Sequence, residues 1–438
     1  MKILKDIFFK LLYAPPIFRT IKAILYPLIY PRVFLCKLRY SRTLYRIKSI
    51  PGNRKLRVLF LVGEPAKWKC QKLYEAMESS KDFDPIVGLT AWNSQSAHVC
   101  TEEELEQQHK KAEAFFHTLG DKVTRTYTNF PRKGIPLNEL KPDIIFYSEP
   151  WLPIKFQTPE RMSGTAVCCY IPYFVPSTGD TSIICEADVH RFCHTYFTLS
   201  DSWSELYSSK FTKFNNVQQF VGTGLPALDY FSANTGTASE SNVVIYAPHH
   251  SIPNPKNTIP WNISTFDWSG RPILEYAKKH PEIKWVFKPH PLLKHEVVDA
   301  GFMSQDEIDA YYREWNEIGT VCLSGDYQDL FINSTAMITD CGSFLSEYGA
   351  SGHPLIRLVR TTSRQFPPLP NGMLDTYYQV RNLNEMFDAF RTVLENKEDP
   401  KRDARIAAVK SAGLMGVNAS ANILRYLAKL CGRSVSDS

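Results

Sequence analysis

The chain has 438 residues, 44% hydrophobic, 22% charged and 13% aromatic, a globular composition long enough for two ordinary domains and unlike a disordered or collagen-like chain. Ten cysteines without a CxxC pair are too sparse for a disulfide scaffold or a zinc ribbon, so reduced thiols are expected. The net charge of +6 divides unevenly: residues 1–50 carry eleven Lys/Arg against the single acid Asp6, leaving −4 on residues 51–438, and a body of that sign excludes a general nucleic-acid partner.

At the N-terminus, Ile3, Leu4, Ile7, Phe8, Leu11 and Leu12 recur at helical spacing, with Lys2, Asp6 and Lys10 on the other side. This pattern predicts an amphipathic helix with a cationic face. The next apolar stretch, 17–29, is broken by Arg19, Lys22 and Pro27, so no uncharged run is long enough to span a bilayer. Interrupting lysines and the lack of a small-residue cleavage site argue against a signal peptide. Residues 1–50 are therefore read as a segment lying on an anionic membrane surface. Packing of the same apolar face on the protein's own body or on a partner subunit is the alternative.

From residue 57 short apolar runs alternate with helical patterns. The first half has runs at 58–62, 86–89, 144–147, 166–171, 196–199 and 219–221; the second has them at 243–246, 285–287, 321–323, 336–339 and 355–359. Continuous rather than alternating runs predict strands buried on both faces, hence parallel sheets covered by helices. The small, polar stretch Ser232–Ser241 reads as a linker. The expected architecture is α/β, with two doubly wound Rossmann-like domains at 51–233 and 242–438 and a cleft between them.

Chemically capable residues follow several of these runs: Gly63-Glu64-Pro65, Ser148-Glu149-Pro150-Trp151, Pro248-His249-His250, Lys288-Pro289-His290-Pro291 and Asp340-Cys341-Gly342-Ser343. Open α/β sheets bind ligands beyond the carboxyl ends of their strands. Lys288 and His290, two apart on a strand end between prolines, form a rigid ammonium–imidazole pair suited to phosphate. Gly342 and Ser343 open a helix whose N–H groups favour an anion, with Glu347 one turn further on and able to meet ribose hydroxyls. The local alternatives are a surface turn, a plain N-cap and a solvated acid. No GxGxxG, P-loop or GxSxG motif is present. Cys185, His190, Cys193 and His194 lack metal-ligand spacing, and Cys168-Cys169 reads as buried strand.

The stretches Tyr246–His250, Phe287–Pro291 and Ile338–Glu347, with weaker support from Val221–Asp229 and Asn418–Ile423, resemble the CDP-glycerol glycerophosphotransferase family, the teichoic-acid primases and polymerases of bacterial envelopes. The resemblance covers most of residues 220–425. It implies a GT-B-like fold, with the donor nucleotide on the C-terminal domain and the acceptor on the N-terminal one. It also implies that Lys288 and His290 contact the donor pyrophosphate, that Gly342 and Ser343 (with Asp340 in the same turn) cradle phosphate, and that Glu347 contacts ribose. A peripheral position on the cytoplasmic face of the bacterial membrane follows from the same resemblance. The family's WHGTPLK-like segment corresponds to Tyr170–Ser177, which has no histidine, so His249, His250 and Glu149 are the candidate bases.

The expected reaction is transfer of a glycerol-phosphate or related unit from a CDP-linked donor to a hydroxyl of a lipid-linked glycan. The hydroxyl attacks the β-phosphorus in line and CMP leaves. No cofactor and no bound metal are expected, Mg²⁺ being left open. The alternatives are a GT-B glycosyltransferase using a nucleotide sugar and a non-catalytic, membrane-associated glycan-binding or scaffold protein.

Overall fold

The computed structural model describes the backbone of residues 15–90, 102–120, 122–128, 133–134, 137–150, 156–175, 188–209, 217, 219–231, 241–254, 262–323, 327–363 and 370–434. The amphipathic stretch 3–12, Trp151, Cys185 and linker residues 232–240 lie outside these.

Two parallel sheets form the body. The N-terminal sheet contains β1 (Leu56–Val62), β2 (Phe83–Leu89), β3 (Val123–Arg125), β6 (Ile144–Tyr147), β7 (Val167–Tyr170), β8 (Thr195–Thr198) and β9 (Gln219–Gly222), in the order β3-β2-β1-β6-β7-β8-β9. A short hairpin of β4 (Tyr127–Thr128) and β5 (Lys133–Gly134) stands apart. The C-terminal sheet contains β10 (Val243–Ala247), β11 (Lys284–Phe287), β12 (Gly319–Val321), β13 (Ala336–Thr339), β14 (Leu355–Leu358) and β15 (Tyr378–Val380), in the order β12-β11-β10-β13-β14-β15. This is the expected doubly wound, two-domain α/β architecture. The central strands β6, β7 and β13 are buried at every position, because helices cover both sheet faces. Cys168 and Cys169 lie fully buried in β7.

In each sheet the chain reverses its direction of travel at one place: between β1 and β6 in the first, and between β10 and β13 in the second. Such switch points open a crevice at the carboxyl end of the sheet. Strand β12 begins two residues earlier than the apolar run predicts. Gly319 pairs with Trp285, and a Cβ there would collide with the Trp285 carbonyl, so glycine permits the close approach.

A helix spans Pro15–Lys48. Val33, Cys36, Tyr40, Thr43 and Ile47, at alternating three- and four-residue spacing, are buried against the N-terminal domain. Tyr40 donates to the Phe192 carbonyl (2.8 Å) and Thr43 to that of Ser163 (2.8 Å). One face of this segment's C-terminal half thus packs on the body.

The last helix, Ala419–Leu430, returns to the N-terminal sheet. Ile423, Leu427, Ala428 and Cys431 share a core with Leu56, Val58, Phe60 and Leu73. The Asp229 carboxylate caps the helix, accepting from the backbone N–H of Ala419 (2.7 Å) and Ser420 (2.9 Å) and from the Ser420 hydroxyl (2.5 Å). The two weakest sequence signals, 221–229 and 418–423, therefore meet in space. Before this helix, Gly413 and Gly416 take φ of +74° and +79°, left-handed values that favour glycine.

Candidate active site

The ends of β11, β10 and β13 lie side by side, with Tyr246 level with both Phe287 and Ile338. Beyond them the chain keeps its pairing for one more step, since His290 N–H donates to the Pro248 carbonyl at 3.0 Å. That bond brings three imidazoles together. Ring centroids lie 4.4 Å apart for His249–His250, 4.1 Å for His250–His290 and 5.2 Å for His249–His290.

Asp340, at the end of β13, fastens the cluster from the other side of the switch point. Its carboxylate accepts from His249 N–H (2.6 Å), Thr265 N–H (2.6 Å) and the Thr265 hydroxyl (2.9 Å). Burial pushes its carboxyl up to about 6 against those three bonds. Both oxygens are thus committed to the protein, and Asp340 positions the site where the sequence reading grouped it with the substrate contacts.

The hydrogen bonds also fix what the imidazoles can do. His290 Nδ1 accepts from Leu292 N–H (3.2 Å), and His249 Nδ1 accepts from Ser251 N–H (3.2 Å) with the Ser251 hydroxyl at 2.9 Å. Each ring therefore carries its proton on Nε2 and presents an N–H donor. Burial lowers the pKa of His290 to about 3, with the charges of His250 and Lys288 adding to it, and lowers that of His250 to about 4. His249 is pushed down by burial and then by its two neighbours. All three rings are therefore neutral imidazoles in the free protein at pH 7. His250 Nδ1 is buried without a hydrogen-bond partner among the described residues, a costly state for a polar atom unless a ligand supplies one.

The three rings are also the residues that could hold a metal, since their nitrogens lie within 4.8 Å of one another. A tetrahedral ion with bonds of about 2.0–2.1 Å needs ligand nitrogens about 3.3 Å apart, each with a free lone pair. Two of the Nε2 atoms carry protons, held there by backbone N–H groups on Nδ1. The usual metal site has the reverse arrangement, with Nδ1–H donating to an acceptor. As built, the donor set suits an anion.

Lys288 is buried, its Nζ 4.4 Å from the centre of the Tyr327 ring. Burial lowers its pKa, and the nearby Lys69 ammonium lowers it further, while Cys322, Glu347 and Cys341 act the other way. Lys69 comes from the N-terminal domain, in the loop before the helix Gln71–Ser79. Its Nζ donates to Tyr327 Oη (2.6 Å) and Glu347 (3.1 Å) and sits 4.0 Å from the same ring centre. Glu347, expected at the ribose, is 2% exposed, paired across the domain seam with Lys69 and bonded by Tyr327 of its own domain. Gly342 begins a helix of six residues, Gly342–Glu347, straight after β13 and Cys341. Ser343 Oγ lies 3.4 Å from the Cys341 sulfur, a thiol that burial pushes up to about 11 and so keeps protonated.

At the other switch point Lys67 bridges Glu64 and Glu149, 2.7 Å from each. Burial alone lowers the Lys67 pKa, but the two carboxylates raise it overall. Glu149, the sequence candidate, therefore stands beside Glu64 and Lys67 with the Tyr173 ring 5.6 Å from the ammonium.

One consequence is measurable as pH dependence. A histidine whose folded pKa lies below its unfolded value of about 6.5 leaves stability intact above that pH and removes it as pH falls. His290 alone costs on the order of 3 kcal/mol by pH 4.5. Asp340 has the opposite sign, its raised carboxyl adding stability as pH falls through 6. His290→Gln is therefore expected to flatten the acid limb of unfolding free energy against pH. Parallel limbs for the two proteins would contradict a buried neutral ring.

No protein-family model matches the chain, and no curated protein matches it in sequence. Solved structures do resemble it. A UDP-GlcNAc 2-epimerase from Neisseria meningitidis bound to UDP-GlcNAc is similar at TM-score 0.52 and 12% identity, covering 86% of this chain and 100% of that one. Another UDP-N-acetylglucosamine 2-epimerase gives TM-score 0.53 and 15% identity over 88% and 100%. The chain has a GT-B-like fold. At such identities the likeness establishes the architecture, two Rossmann-like domains, and leaves the reaction to the site itself.

Proposed function

We propose that this protein is a transferase acting on a nucleoside-diphosphate-linked donor, with the diphosphate held by the C-terminal domain. The observation that carries this reading is the pair of neutral imidazoles, His249 and His290, pinned as Nε2–H donors beside Lys288 at the β10–β13 switch point. Donors fixed before the reaction stabilise charge as it develops on a leaving phosphate, and in a buried site each contributes substantially. Gly342 and Ser343 border the same strand ends. The Glu64–Lys67–Glu149 group lies at the β1–β6 switch point, where an acceptor alcohol can be oriented and can lose its proton to a carboxylate.

A nucleotide sugar is the donor class that the GT-B-like neighbours favour, one of them being bound to UDP-GlcNAc. In that reaction the alcohol attacks the anomeric carbon, the bond to the diphosphate oxygen breaks, and the nucleoside diphosphate leaves with the electron pair. A CDP-linked polyol is the second reading, favoured by the ordered segments 246–250, 287–291 and 338–347. There attack falls on the β-phosphorus and CMP leaves.

Product analysis separates them. The chain is incubated with UDP- and GDP-sugars, CDP-glycerol and CDP-ribitol. Release of UDP or GDP marks sugar transfer, CMP marks polyol-phosphate transfer, and conversion of a UDP-sugar without acceptor marks an epimerase. If none of these compounds raises the unfolding temperature, the donor site is refuted and a non-catalytic glycan-binding role takes its place.

A further inference from the structure

We infer that the helix Pro15–Lys48 docks the protein on an anionic bilayer through a stripe formed by Phe34, Leu35, Leu38 and Tyr45. The stripe is the side of the helix opposite the one buried on the N-terminal domain. At 100° per residue, Val33, Cys36, Tyr40, Thr43 and Ile47 share one side, and Leu38 and Tyr45 lie about 180° away from its centre. The stripe residues are 62%, 49%, 41% and 81% exposed, the largest concentration of exposed large apolar side chains among the described residues. Lys37 and Lys48 flank the stripe on one side, Arg42 lies within it between Leu38 and Leu35, and Arg46 on the far edge is tied to the body through the Thr165 carbonyl and Asp143.

Charge selects the occupant. From residue 15 to residue 48 there are eight Lys/Arg and no Asp or Glu. A second copy of the helix would bring like charge against like, whereas anionic headgroups complement it, with long cationic stems reaching past the apolar side chains. The helix cannot cross the bilayer, because no described helix is long and apolar enough to do so. It lies on the surface, and Arg32 paired with Glu160 (2.6 Å) holds it to the domain. The N-terminal domain is thereby brought to the lipid surface, where an alcohol carried on a lipid would be presented.

The test uses the full chain and flotation with phosphatidylglycerol-containing vesicles against phosphatidylcholine vesicles. Binding is expected to the anionic vesicles, to weaken with added salt, and to fall at least about tenfold for Phe34→Ser/Leu38→Ser. Arg42→Glu/Lys48→Glu should lose a similar factor without removing apolar surface. Unchanged unfolding temperatures show that both variants fold. Equal binding to neutral vesicles, or undiminished binding by the apolar variant, overturns the proposal. So does light scattering that shows a wild-type dimer and a monomeric apolar variant, which would make the stripe a contact between copies.

Discussion

Replacing His290 with alanine is expected to lower kcat/KM by about 10²–10³-fold, the loss that follows removal of one fixed donor from a buried anionic site. Stability at pH 7 should change little, because the ring is neutral there and, among the described residues, its side chain bonds only to the Leu292 N–H. His290→Gln separates two roles. A glutamine amide reaches the Nε2 position and donates, but it cannot take a proton. Partial recovery in the glutamine variant fits a donor to the diphosphate, while equal loss in both variants assigns His290 to proton transfer. Near wild-type rates for His290→Ala, with a nucleotide donor that has been shown to react, would remove the imidazole cluster from the site.

The second large effect concerns the seam. Lys69 and Glu347 are 6% and 2% exposed and join the two domains. Among the described residues, Lys69→Met leaves the buried carboxylate with only the Tyr327 hydroxyl at 3.2 Å, and breaking one side of a buried pair costs about 3–5 kcal/mol. Replacing both, as Lys69→Met/Glu347→Leu, removes the stranded charge and should restore most of that loss. Urea unfolding of the four proteins in this cycle gives the coupling. Additive losses would mean that the pair is screened and contributes little. Activity should respond differently: the double variant regains stability but lacks the N-terminal cation beside Lys288, so its KM for the donor stays raised.

Most of the fold could be read from continuous apolar runs such as Val58–Val62 and Ala336–Thr339, because strands covered on both faces need apolar side chains at every position. Strands β3 and β15 escaped for the converse reason. They are edge strands, partly exposed, and Val123-Thr124-Arg125 and Tyr378-Gln379-Val380 carry polar residues. The histidine loops were visible because each follows a strand. Their convergence was not, since it depends on β10 and β11 being neighbours and on one bond from His290 to Pro248. Nothing local marks Lys69 or Tyr327, whose surroundings are made by the other domain or by distant loops. The spacing of Val33, Cys36, Tyr40, Thr43 and Ile47 was a signal that could have placed the C-terminal half of the first helix on the body. It was obscured by the cationic residues between them.

The return of Ala419–Leu430 to the first sheet means that the polypeptide passes between the lobes twice. Opening the cleft must therefore bend two tethers at once, one of them through Gly413 and Gly416. A paired tether permits a clamshell movement about a single axis and resists swivelling. Severing the chain at its midpoint would not yield two independent lobes either, because the amino-terminal fragment would be left without the helix that seals Leu73 and Phe60.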